Sequence, residues 1–302
     1  MKYLLTRNPV ARITEEISSG LYSDIFDHIT NIEREFEDSK GGRIGFLWEH
    51  TLRVASLALK IGRKEKTDLA AVTLAALFHD AGKFYLGSYH SDETPEEEIA
   101  RDVALRIMKD HKVDASLSEK VIGALDSLYR EEEEEDILAH CIHDADFLDK
   151  MGILGVGTVF QRAALRGDPP SEVITRNLSR EMTYARYAVE LMRTAEGRRR
   201  AVTAGRDSLR FYRRYIREFN ALGLGVIEES RHRIDTGNDG EKSVIVLVSW
   251  KNCPLCGKKT AESFSSSDGV KCVKISAVIS CKSCHYNEEI SFCRPELPGM
   301  NG

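Results

Sequence analysis

Two histidines and a small group of aspartates have the types and spacing to hold a metal ion. They are His50, the adjacent pair His79 and Asp80, and the acids Asp144, Asp146 and Asp149. A metal centre acting on phosphate esters needs imidazole and carboxylate donors that converge from different helices and leave positions open for water and substrate. A His-Asp dipeptide suits this at a helix end, where adjacent side chains can both turn toward one ion, and Gly82 is expected to supply the stop. Taken singly, His50 reads as a satisfied core histidine and His79-Asp80 as a stray pair. Taken together, they accompany three acids in an otherwise apolar segment, which is costly to bury without a cation. A shared metal removes that conflict.

A second metal site is written in cysteines. Six of the seven fall in the last fifty residues, and Cys253-Pro-Leu-Cys256 and Cys281-Lys-Ser-Cys284 stand 24 residues apart. Each C-x-x-C pair offers two thiolates from one tight knuckle, and four make a closed tetrahedral zinc site of the ribbon kind. A redox role is the weaker reading, because neither pair sits in a βαβ pattern. Cys272 and Cys293 are left as packing thiols.

The elements that must position these groups are helices first and strands later. From Ile13 to about Asn220 apolar residues return every three or four positions. His50, Val54, Leu57 and Ile61 share one stripe, as do Leu69, Val72, Ala76 and His79, so both histidines point toward the core. The acids Glu131 to Asp136 precede a helix from about Ile137 and suit its positive end. A basic amphipathic stretch, Ser171 to Phe219, reads as two helices interrupted near Gly197 or Gly205. Its arginines alternate with a core stripe of Phe211, Tyr212 and Tyr215. Composition changes after Gly223. Thr236 to Gly240 is a loop signal and Ser243 to Trp250 the first clear strand, with further strand-like runs at Val270 to Ile279 and Ile290 to Phe292. The expected architecture is mainly α: an all-helical domain over 1–225 followed by a small β-rich zinc-ribbon domain over 226–302.

The stretches WEHTLRV (48–54), LAALFHDAGK (74–83) and HDADFLDKMGILGV (143–156) resemble the HD-domain phosphohydrolases, in particular the bacterial and archaeal group with a DAD-x-LD-x-x-G segment. ELMRTAEGRRRA (190–201) extends the resemblance, which covers roughly residues 45 to 220. It implies an all-helical fold and hydrolysis of phosphate esters or nucleotide phosphoanhydrides with a divalent metal (Mn, Co, Ni, Fe or Mg). His50, His79 and Asp80 map onto its first three ligands. The fourth is divided between two acids about 200° apart on a helix. The apolar stripe of Cys141, Leu148 and Met151 favours Asp144, while the family motif favours Asp146, which is adopted. Asp144 then orients a ligand or touches substrate, or is a surface or capping acid.

The implied mechanism is attack of a metal-activated water on phosphorus. Arg53 and Lys83 are candidates to stabilise the phosphoryl oxygens, though each also fits an ordinary surface cation. Members with two metals have extra histidines after the HD pair. Here His90, His111, Glu97 and Glu98 align with no motif, so a single ion is expected. GVGTVF (155–160) departs from the group's G-I-A-R-T-F run at Thr158, leaving substrate preference open.

With 302 residues, 42% hydrophobic and a formal charge of −5, the chain reads as a globular cytoplasmic protein with no avidly cationic surface. It contains no run of about eighteen apolar residues, so no membrane insertion is expected. The expected partner is a phosphorylated small molecule or nucleotide. The ribbon, with Lys251, Lys258, Lys259, Lys271, Lys274 and Lys282, adds nucleic acid or protein as a further partner. The alternative function is nucleic-acid binding or regulation through the ribbon and basic helices, with the helical domain as scaffold.

Overall fold

The computed structural model describes residues 8–40, 45–84, 96–128, 136–165, 173–223, 225–235, 242–268 and 273–293. The fold is mainly α, as expected, with small antiparallel sheets toward the C-terminus. It divides into two compact units. One runs to Asp149 and takes back Met192–Arg198, and the other holds Lys150–Leu191 and the chain from Arg199 onward. Helix gives way to strand between Ala221 and Ile227, the place marked by the change in composition, whereas compactness groups the later helices with the strands. No helix among the described residues is long and apolar enough to cross a membrane.

The first unit contains α1 (Pro9–Ile17), α2 (Leu21–Lys40), α3 (Leu47–Glu65), α4 (Leu69–Phe78), α5 (Glu96–Asp110), α6 (Ala115–Leu128) and α7 (Ile137–Asp149). The sequence of α4, LAAVTLAALF, is apolar on every side, so the helix is buried from Ala71 to Phe78 and packs against α3, α6 and α7. Asp68 starts it by accepting from the amides of Ala70 and Ala71, both at 3.1 Å. α3 is entered through a carboxylate borrowed from α2, since Glu33 accepts from the amides of Leu47 and Trp48. It ends at Lys66 in the left-handed region (φ 60°). Asp136 caps α7 through the Leu138 amide at 2.7 Å, so helix starts set by aspartates flank both sequence segments that carry the chemistry.

Gly82 does not act as a left-handed stop. A Cβ there would lie 2.0 Å from the carbonyl oxygen of Glu96, so its role is to let α5 approach the turn after His79-Asp80.

The second unit contains α8 (Gly152–Leu165), a π-helical turn (Val173–Asn177) running into α9 (Leu178–Arg186), and most of α10 (Ala195–Ala221). Its strands are β1 (Ile227–Asp235), β2 (Lys242–Trp250), β3 (Ala261–Asp268), β4 (Val273–Ser280) and β5 (Asn287–Cys293). β1 pairs with β2, and β3, β4 and β5 form a three-stranded antiparallel sheet. The apolar run of β2 is buried on both faces. Val246 and Val248 pack with Tyr212, Met182 and Leu178, while Ile245 and Leu247 pack with Ile275, Ile279 and Ile290.

One edge of β2 is paired with β1, and side chains of α9 and of Tyr187 at its C-terminal cap satisfy the other. Ser179 Oγ, Thr183 Oγ1 and Tyr187 Oη accept from the amides of Val248, Val246 and Val244, each at 2.9 Å. Four helical residues rise about 6 Å and two strand residues about 6.8 Å, which keeps the two repeats in register. This hydroxyl ladder covers an edge that would otherwise present unpaired backbone.

The interruption expected near Gly197 or Gly205 falls instead at 187–194, and both glycines lie inside α10. They are there for close approach: a Cβ would sit 2.0 Å from Asp144 Oδ2 at Gly197 and 2.6 Å from the Ala185 carbonyl at Gly205. Two strands carry no clear signal in the sequence. β1 (IEESRHRID) alternates charged residues and β3 (AESFSSSD) is mostly serine, so neither carries the apolar signal. Glu131 to Glu135, the 236–240 loop, His90, Lys271 and Cys272 lie outside the described residues.

Candidate metal centres

Three elements of the first unit bring the candidate ligands together: α3 carries His50, the turn after α4 carries His79 and Asp80, and α7 carries Asp146. Both imidazoles are almost fully buried. His79 Nδ1 lies 2.8 Å from the Ala76 carbonyl, which can only accept, so Nδ1 carries the proton and Nε2 presents its lone pair. His50 Nδ1 donates in the same way to Asp149 Oδ2 at 2.8 Å.

The Nε2 atoms converge with the carboxylates. His50 Nε2 is 3.2 Å from Asp80 Oδ2 and 3.3 Å from Asp146 Oδ1, and His79 Nε2 is 3.5 Å from Asp80 Oδ2. Donor atoms of His50, His79 and Asp146 all lie within 4.8 Å of one another. Adjacent donors around an ion with bonds of about 2.1 Å stand about 3 Å apart, so these separations fit a shared cation.

The electrostatics agree with that fit. Burial disfavours a charged His50, yet its bonds to Asp146, Asp149 and Asp80 outweigh it and push its pKa up to about 10. Asp80 is held well below the usual carboxylate range by His79, Lys83 and His50 in spite of its burial. Burial pushes His79 down, which keeps the ring neutral as a ligand must be. The carboxylates therefore demand positive charge in their midst.

The remaining candidates take other places. Lys83 Nζ is 2.5 Å from Asp80 Oδ2, at the edge of the cluster. Arg53 binds Asp149 through Nε at 2.7 Å and Nη2 at 3.1 Å, so its guanidinium is committed to a carboxylate. Asp144 is completely buried and faces another set of partners: its oxygens accept from the amides of Arg193 and Thr194, both at 2.8 Å, and from Thr194 Oγ1 at 2.7 Å. It anchors the approach to α10, while Asp149 holds the position that orients His50. The spacing could have found Asp149, because it lies three residues after Asp146 on the same helical face. His111 is bonded to Asp24 and Ser18, and Glu98 is exposed.

In the second unit Cys253, Cys256, Cys281 and Cys284 form one group. Cys253 Sγ is 3.3 Å from Cys284 Sγ, and Cys256 Sγ is 3.5 Å from Cys281 Sγ. Four sulfurs about 2.3 Å from a zinc ion stand about 3.8 Å apart, so a small expansion would let these four close around one. The two knuckles repeat one geometry. The amide of Gly257 donates to the Cys253 carbonyl and that of His285 to the Cys281 carbonyl, with both residues in the left-handed region (φ 73° and 60°). Backbone amides of Ser283 and Cys284 donate to the Cys281 sulfur and lower its pKa, favouring the thiolate. Cys293, expected as a packing thiol, is disulfide-bonded.

Residues 47–151, which hold His50, His79, Asp80, Asp146 and Asp149, match the family model of the HD domain. The chain is 32% identical over 130 residues to the uncharacterised protein YpgQ of Bacillus subtilis (strain 168), a match covering 41% of this chain and 60% of that protein's length. Among solved structures, Bacillus subtilis YpgQ aligns at 20% identity with a TM-score of 0.48, covering 66% of this chain and 97% of that one. The same protein in complex with ADP aligns at 21% identity and TM-score 0.47, covering 64% and 97%. An HD-superfamily hydrolase of Bacillus thuringiensis aligns at 20% identity and TM-score 0.46, covering 67% and 99%.

Proposed function

We propose that the HD domain over residues 47–151 is the catalytic core of a metal-dependent phosphohydrolase that splits a phosphate ester or nucleotide phosphoanhydride. The observation that carries this reading is the convergence of two imidazole Nε2 atoms with the Asp80 and Asp146 carboxylates, drawn from three separate elements. A protein that used these residues only for packing would not gather so much acid around two buried rings.

In this reading His50, His79, Asp80 and Asp146 hold one divalent ion, of the Mn, Co, Ni, Fe or Mg type. When bound, the ion lowers the pKa of water and draws charge from a phosphoryl oxygen. The residues do the rest. His79 is fixed as an Nε2 donor by the Ala76 carbonyl, and His50 by Asp149. Arg53 is a positioning residue that acts on His50 through Asp149. Lys83, beside Asp80 and 17% exposed, is the cation placed to meet an incoming phosphoryl oxygen. The four cysteines hold a structural zinc that keeps the ribbon folded.

The test is a turnover screen. Protein stripped and reloaded with each ion is offered nucleotides, sugar phosphates and cyclic dinucleotides, and released phosphate and pyrophosphate are followed. Metal-dependent turnover that disappears in the double variant His79→Ala, Asp80→Ala supports the reading. Silence across the panel with a folded, metal-loaded protein overturns it.

A further inference from the structure

The basic face of α10 is used by neither metal centre, and in the second unit it lines a groove of about 480 Å³ against the end of α9. Ala185, Ala188, Val189 and Leu209 form an apolar floor, and Arg186, Arg206, Arg210, Arg213 and Arg217 stand around it. There is no carboxylate among the described lining residues. Gly205 makes the groove possible, since any side chain there would collide with Ala185 and Ala188 and part the two walls.

On α10 the arginines recur at i, i+4, i+7 and i+11, one helical face extending about 16 Å. Arg213 is already clamped by Glu229 at 2.7 and 2.8 Å and belongs to the wall. Arg206 and Arg210 are 60% and 73% exposed, each 3.8 Å from the shared carboxylate of Asp207, and Arg186 and Arg217 are exposed. This concentration of cations occurs in a chain of net charge −5.

We propose that this groove binds single-stranded nucleic acid along its phosphodiester backbone. A lone phosphate would occupy one or two guanidinium groups, whereas Arg206, Arg210 and Arg217, exposed along one face of α10 with Arg186 on the same groove, suit a chain of successive anions. All the lining cations are arginine, whose planar fork pairs with phosphate oxygens and whose face stacks on bases. The apolar floor accepts sugar and base faces without demanding a sequence, as in sequence-tolerant single-strand binders. A recess between two helices admits a strand better than it admits a bilayer or a duplex. The inference does not depend on the hydrolase reading, because it uses none of that site's residues.

The test uses the full zinc-loaded chain and a fluorescein-labelled mixed-sequence 12-mer of RNA or DNA, with binding followed by anisotropy from low to high salt. Affinity should fall with salt, each neutralised phosphate of a single strand contributing about 0.7 to the log–log slope. The double variant Arg206→Gln, Arg210→Gln should bind at least about tenfold more weakly with a shallower slope. Val202→Glu, an acid added at an exposed lining position, should weaken binding in the same direction. Both changes are on the surface, so unchanged circular dichroism and zinc content establish that the variants are folded. Absence of binding by the wild-type chain, or binding that both variants leave intact, overturns the proposal. Equal capture of polyglutamate or phosphatidylserine vesicles, lost in the same variants, also overturns it and assigns the groove to an acidic peptide or a membrane.

Discussion

Asp149 joins His50 to Arg53: one carboxylate accepts the imidazole Nδ1 proton at 2.8 Å and two guanidinium bonds at 2.7 and 3.1 Å. The carboxylate is 3% exposed, so its orientation of the ring is little diluted by solvent. Replacing Asp149 by Asn leaves the side chain's size unchanged but weakens its hold on the Nε2-ligating tautomer. Metal affinity at this site should fall about 10- to 100-fold, measured by isothermal titration with Mn²⁺ on the apo protein. Unchanged affinity would show that Asp149 does not orient a metal-binding His50.

Asp144 and Asp146 should separate cleanly. Asp146→Ala is expected to lose metal at the His50–His79 site with little loss of fold. Asp144→Ala should keep the metal and cost about 2–3 kcal/mol, because two backbone amides and the Thr194 hydroxyl lose their acceptor. Metal analysis and urea denaturation of the two variants decide between these outcomes.

Thr183 tests the hydroxyl ladder. Thr183→Val keeps the volume but leaves the Val246 amide without its acceptor, at a cost of about 1–3 kcal/mol. The melting temperature should fall, and the opened strand edge should raise light scattering on heating.

Chelation tests the ribbon. A strong zinc chelator should release one zinc per chain from the four-cysteine site in a colorimetric assay, the Cys256→Ser variant should lack that zinc, and both should reduce the β-strand signal of the far-ultraviolet spectrum while the helix signal persists. A ribbon that stays folded without metal would refute a structural ion.

Asp68 gives a pH dependence of known sign. Lys120 and the α4 amides hold its carboxyl below the ordinary value, against a smaller opposing effect of burial. Its contribution is therefore complete above the unfolded pKa near about 3.9 and disappears as pH falls through the lower folded value. Asp68→Ala should cost about 1 kcal/mol at pH 7, and urea titrations should show the gap from wild type closing toward pH 3.

Much of this was legible in the residues because the relevant physics is local. The all-apolar α4 and the stripe of α3 announced where His50 and His79 would be buried, and the paired C-x-x-C knuckles announced four convergent thiolates. β1 and β3 were missed because their stability comes from strand partners rather than their own composition. Gly197 and Gly205 were misread as helix breaks because a glycine's intrinsic preference says nothing about what packs against it.

The sequence by itself determined which residue types were available for metal chemistry, and that helices would precede strands, since periodicity and ligand spacing lie within a few turns of chain. Tertiary structure decided which partners each acid meets. Asp144 and Asp146 differ by about 200° around one helix, and each finds its role only where other segments meet it: Asp146 against His50, and Asp144 against Thr194, fifty residues away. Arg53 went to Asp149 for the same reason, because a carboxylate ninety-six residues distant in sequence lies within hydrogen-bond reach in the fold.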